Sequence, residues 1–79
     1  MVNKVFAIRD VLNGYGAPML DHSDATASRN FKYAISSNPS IGFKPSDYEL
    51  YCIGEYDSDT GSMIPLPSPI LIMRGVKVE

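Results

Sequence analysis

Asp21-His22-Ser23-Asp24 brings a hydroxyl, an imidazole and two carboxylates within four residues, the residue types of a nucleophilic triad. A triad works only when those groups converge from separate elements, so that the imidazole reaches the hydroxyl and a carboxylate reaches the imidazole. Four chain neighbours do not converge in that way. A serine and an aspartate just ahead of an apolar period read instead as a helix entry, with Ser23 accepting from an orphan amide and Asp24 beside the positive end of the dipole. Asp57-x-Asp59-x-Gly61 has the opening spacing of a calcium loop. The twelve-residue pattern ends on a bidentate acid, where Ser68 stands, and Gly61 falls on a ligand position, so a hairpin tip is the better reading. Cys52 is the only cysteine and His22 the only histidine, too few soft donors for a zinc site. Beside Leu50 on the same strand face, Cys52 is expected to pack as a small hydrophobe. No catalytic residue, metal or cofactor is expected.

What remains is surface chemistry. Arg29, Lys32 and Tyr33 share the polar side of a helix, where two cations could track phosphates and an aromatic could stack on a base, or where all three could simply be solvated. Lys4 or Arg9 could extend that surface, but not both, since they fall on opposite faces of a flat strand. Tyr51 and Ile53 stand between Glu49 and Glu55; acids beside an aromatic repel phosphate, so that patch suits a protein partner.

The elements that must position these residues are legible as alternations and breaks. Residues 2–12 read as a first strand, Asn13-Gly14-Tyr15-Gly16 as a turn, and Ala17–Leu20 as a short edge strand. Ala27, Phe31, Ala34 and Ile35 make the apolar stripe of a helix that opens at Ser23 and closes at Asn38-Pro39. Residues 40–46 read as a loop. From Tyr48 to Tyr56, Tyr48, Leu50, Cys52 and Tyr56 should face the helix, with Glu49, Tyr51, Ile53 and Glu55 wet. A hairpin through Gly61 returns the chain along Met63–Leu66. The fold class is α+β: one helix on a small antiparallel sheet of three to five strands, in the order β(β)αββ, with a C-terminal strand left open. Residues 1–66 form the domain, and residues 67–79 a proline-rich extended segment with an apolar tail.

With 79 residues and 44% apolar content the chain holds one modest core and no internal disulfide. A lone thiol and the lack of a long apolar run point to a reducing cytoplasm and no membrane. The net charge is −2, yet residues 1–44 carry five bases against three acids and residues 45–79 two against six. A chain that is not basic overall is no bulk polyanion binder, so any nucleic-acid surface must lie on the first half, with modest affinity from charge alone. Ile70, Leu71, Ile72 and Met73 are too apolar to stay in water; they either fold back as a strand or cross to a second copy in a homodimer, which would also stabilise so short a chain.

The string Pro45-Ser-Asp-Tyr-Glu-Leu-Tyr-Cys-Ile-Gly-Glu-Tyr-Asp57, with Thr60-Gly61 and Ile64-Pro65, closely resembles the small nonstructural protein of single-stranded DNA phages of the Microviridae, gokushovirus branch. Gly16-Ala-Pro-Met-Leu20, the Ser23-Asp24-Ala25 helix start and the Ser37-Asn38-Pro39 exit agree with it, over roughly residues 3–66. The resemblance implies a protein of the host cytoplasm, absent from the virion, that associates with single-stranded DNA or with the viral replication and packaging proteins. It implies no particular site residues. The alternative is an adaptor that binds a viral or host protein without touching DNA.

Overall fold

The computed structural model describes residues 1–76; residues 77–79, the end of the expected tail, lie outside the described residues. The order is β1 (Val2–Asp10), β2 (Gly14–Tyr15), β3 (Met19–Asp21), α1 (Asp24–Ser37), α2 (Pro39–Gly42), β4 (Tyr48–Asp57) and β5 (Ser62–Arg74), an α+β fold with one main helix on a curled five-stranded antiparallel sheet. β1 pairs with β4 along its whole length; its other edge is shared by β3 at Lys4–Phe6 and β2 at Arg9–Asp10, and β5 lies outside β4. No helix among the described residues is long and apolar enough to cross a membrane.

α1 begins and ends where its local chemistry requires. The Ser23 hydroxyl accepts from the Thr26 amide at 3.2 Å, and Asp24 follows in the first turn. Asn38 closes α1, its amide donating to the Ala34 carbonyl, and its own side chain accepts from the Ser40 amide at 3.0 Å. That second bond starts α2 where a loop was expected. Pro39 is suited to the first turn of a helix, since its φ is already helical and its missing N–H has no partner to lose there. Ala27, Phe31 and Ile35 of α1 are buried against Phe6, Leu50 and Cys52 of the sheet, with Ile8, Ile41, Tyr48, Leu66, Ile72 and Met73 packed around them.

β5 is longer than its prolines suggested. It runs continuously through Pro65, Pro67 and Pro69, and its far half returns to β4: Ile70 opposite Cys52, Leu71 opposite Tyr51, Met73 opposite Leu50 and Arg74 opposite Glu49. Between Pro65 and Ile70 the register slips, so the missing donors of Pro67 and Pro69 break no ladder bond, while Leu66 still packs on the core. Ile72 and Met73 pack on the core, while Ile70 and Leu71 remain exposed.

A second irregularity changes which side chains share a face. Phe6 pairs with Cys52 and Val5 with Gly54, leaving Ile53 as an extra residue in β4. One inserted residue inverts the alternation beyond it. Tyr56, expected beside Leu50, stands opposite Asn3 and shares the face away from α1; Glu55, expected on that away face, stands opposite Lys4 on the helix side. Gly54 sits at this junction with β5 so close that a Cβ there would lie 2.7 Å from the Ile64 carbonyl oxygen.

Candidate nucleic-acid interface on the open sheet face

The face of the sheet away from α1 is a small array built by register. Its first row crosses four strands as Tyr15, Arg9, Glu49 and Arg74; Ala7, Tyr51 and Leu71 form the next; Val5, Gly54 and Pro65 and then Asn3, Tyr56 and Met63 complete it. Val5 and Ala7 are buried as its floor, with Tyr51 and Tyr56 half-buried and Tyr15 exposed above it.

Glu49 is the centre of the first row and was expected to be wet. It is only 8% exposed. Arg9 Nη1 donates to its Oε1 at 3.0 Å, Arg74 Nε lies 3.4 Å from its Oε2, and the Tyr51 hydroxyl donates to Oε1 at 3.4 Å. The partners come from three strands, so a carboxylate that would otherwise be costly to bury has a cation on each oxygen. The hydrogen bond from Arg9 to Glu49 in turn holds the Arg9 guanidinium above its ordinary pKa. Tyr15 and Tyr51 meet edge to face, ring centroids 5.5 Å apart at 71°, which fixes both rings beside the arginines.

Electrostatically, this reverses the objection raised from the sequence. The acid beside Tyr51 is neutralised and covered, and Glu55 has moved to the other face. Arg9, Glu49 and Arg74 are the only charged residues in the rows just named, so those rows carry a net +1 beside three tyrosines. Its most accessible charge is Arg74, whose side chain is 73% exposed. Cations next to aromatic rings are what a single nucleic-acid strand uses: phosphates on the former, bases stacked on the latter.

The sequence candidates do not gather on one surface. Arg29, Lys32 and Tyr33 stand exposed on the outside of α1, and neither cation has an ion-pair partner among the described residues. Lys4 is on the helix side of the sheet, tied to Asp24 at 3.0 Å, and that hydrogen bond raises its pKa. Arg9 belongs to the open face. Among the interface candidates, Tyr51 is in the array and Ile53 is the half-buried bulge residue, while Ile70 and Leu71 lie on β5 apart from the inward-packed Ile72 and Met73. Tyr15, Tyr56 and Arg74 were not singled out from the sequence. Arg74 had one legible signal, a lone base closing an apolar run, but its value depends on the β4–β5 register.

The residues weighed for catalysis or metal binding make local contacts. Asp21 accepts from the Asn30 side chain and the His22 amide, Ser23 caps α1, and Cys52 is buried with its thiol 3.8 Å from the Gly54 carbonyl. At the β4–β5 hairpin, Gly61 takes a positive φ of 76°, and the Asp59 amide donates to Asp57 at 2.9 Å. That bond is the main reason the Asp57 carboxyl is held below its usual pKa.

A family model described as "Phage ORF5 protein" matches residues 3–78 of the chain. No curated protein and no solved structure matches it significantly.

Proposed function

The chain belongs to the phage ORF5 protein family, and from that premise we propose that it is a noncatalytic protein of Microviridae phages, gokushovirus type, that associates with single-stranded DNA during infection. It acts in the host cytoplasm alongside the replication and packaging proteins and is absent from the virion. The contact is the open sheet face: Arg9 and Arg74 meet phosphates, and Tyr15, Tyr51 and Tyr56 offer rings to bases.

The observation that carries this reading is the Arg9–Glu49–Arg74 row beside the Tyr15–Tyr51 pair. A net charge of +1 on the rows of this face predicts modest, salt-sensitive affinity, with stacking supplying the preference for single strands over duplex. The test is titration of a labelled oligothymidylate between 50 and 300 mM salt, concentrations chosen to expose the counterion dependence. Arg74→Gln, which removes the charge without setting a second carboxylate against Glu49, should weaken binding about fivefold at about 0.1 M salt in a protein that stays folded. Arg29→Glu with Lys32→Glu should leave this binding largely intact. The opposite pattern would move the DNA contact to α1, and salt-insensitive binding would end the phosphate reading.

A further inference from the structure

Between the β1–β2 turn and α2 lies an open hollow of about 460 Å³. Ile8, Met19 and Ile41 give it an apolar lining, Tyr48 adds a ring, and Asp10 and Asn13 supply its polar side. The Asp10 carboxylate is tied into the turn through both oxygens, Oδ1 accepting from the Leu12 amide at 2.9 Å and Oδ2 from the Asn13 side chain at 2.8 Å. An ionised carboxylate has about four acceptor positions, so one on each oxygen remains for a ligand. The same two bonds, the Leu12 amide first, hold Asp10 below its usual pKa and keep it ionised at neutral pH. Tyr15 belongs to this hollow and to the open sheet face at once: it lines the one and meets Tyr51 edge to face on the other. The glycines on either side of it keep the rim between the two low. Gly14 needs glycine for its φ of 92°, but Gly16 has no positive φ, and a Cβ there would meet only the Ile8 carbonyl oxygen at 3.5 Å, an ordinary contact.

We propose that this hollow is a subsite for guanine, read from a single DNA strand that lies on the open face and turns over Tyr15 at the β2 edge. The inference rests on the open face carrying DNA and adds to it the base that is recognised. Asp10 makes the selection, because an ionised carboxylate only accepts hydrogen bonds. Guanine presents two donors side by side on its pairing edge, N1–H and the N2 amino group, which match the two free positions on the carboxylate. Adenine and cytosine set a ring-nitrogen acceptor beside their amino group, and thymine sets its one N–H between two carbonyls. Each of these three turns a lone pair toward the Asp10 oxygens and loses the match. The apolar lining and the Tyr48 ring suit the flat faces of a purine, as in other sites that hold an unstacked base by its pairing edge.

The test titrates the ¹⁵N-labelled full chain with a short oligothymidylate and with the same strand carrying one central guanine, adenine or cytosine. The guanine strand should bind about tenfold tighter than the other three, the scale of a charge-assisted hydrogen-bond pair at an accessible site. It alone should shift the amides of Asn13, Gly14, Gly16 and Ile41. Asp10→Asn should remove the tenfold advantage and leave oligothymidylate binding as it was, since the new amide group opposes the guanine donors while its carbonyl still accepts from Leu12. Gly16→Val, which raises the rim without altering the carboxylate, should do the same. Oligothymidylate that binds the open face with no advantage from guanine would overturn the subsite alone; failure of every strand to bind would overturn the open-face reading as well. Arginine amide shifting the four amides when the guanine strand does not would assign the hollow to a protein's arginine and overturn the guanine reading.

Discussion

Replacing Glu49 by Gln should move stability and DNA affinity in opposite directions. The carboxylate takes Arg9 at 3.0 Å on one oxygen and Arg74 at 3.4 Å on the other. Gln retains one acceptor, but its amide nitrogen must then face a guanidinium, donor against donor. Breaking a fully buried pair costs about 3–5 kcal/mol. Here the arginine side chains are 37% and 73% exposed and regain water, so the loss falls to about 1–2 kcal/mol. In a domain of this size that lowers the melting temperature by roughly 5–15 °C. The same change raises the charge of the open-face rows from +1 to +2, and one further counterion released from a single strand steepens the salt slope by about 0.7. At about 0.1 M salt that corresponds to roughly fivefold tighter binding. Urea unfolding followed by the fluorescence of the five tyrosines, with no tryptophan to obscure them, measures the first effect; anisotropy of a labelled oligothymidylate across salt measures the second. An unchanged or weaker affinity in a folded variant would refute the open face as the DNA surface. A stability loss below about 0.5 kcal/mol would refute the account of Glu49 as a buried, doubly bridged acid.

Three further outcomes are expected. Phe31→Ala removes the ring packed on Phe6 and Leu50 and should cost about 3–5 kcal/mol, enough to unfold much of so small a domain; a loss under about 1 kcal/mol by denaturant titration would contradict the core described. Asp10 is held below its usual pKa by the Leu12 amide and then by the Asn13 side chain, and Asp57 by the Asp59 amide. Carboxyls depressed in the folded state add stability above their unfolded pKa of about 4, and that contribution is lost as pH falls through the folded values. Asp10→Asn with Asp57→Asn should therefore flatten the loss of stability below about pH 4 in an acid titration, and an unchanged acid limb would count against both hydrogen bonds. Self-association through the exposed Ile70 and Leu71 should be abolished by Ile70→Glu with Leu71→Glu without loss of fold; a wild-type protein that sediments as a monomer at high micromolar concentration ends the homodimer proposal. Truncation at Pro69 is not an equivalent test, because it also removes Ile72 and Met73 from the core.

The elements readable in the sequence are those whose causes lie within a few residues. Ser23 and Asp24 start α1 by bonding its own first turn, the 27/31/35 stripe points one way by helical period, and Asn38-Pro39 stops the helix. Gly61 turns the β4–β5 hairpin because its backbone needs a positive φ. The β1 and β4 alternations were correct up to Cys52 for the same reason, that a strand sets its own two-residue period.

Beyond that point only the folded sheet decides. The insertion at Ile53 is defined by pairing with β1, nearly fifty residues away in the chain, so no pattern within β4 could show that Tyr56 and Glu55 exchange faces. The return of Ile70–Arg74 to β4 depends on a register slip between Pro65 and Ile70 that keeps the missing donors of Pro67 and Pro69 out of the ladder. The character of the open face depends on both. Glu49 alone in the sequence is an acid that repels phosphate; between Arg9 and Arg74 it becomes the bridge that holds two cations beside the tyrosines. Local propensity sets where an element starts and which way its own side chains alternate, whereas charge on a surface is a sum over strands and exists only once their register is set.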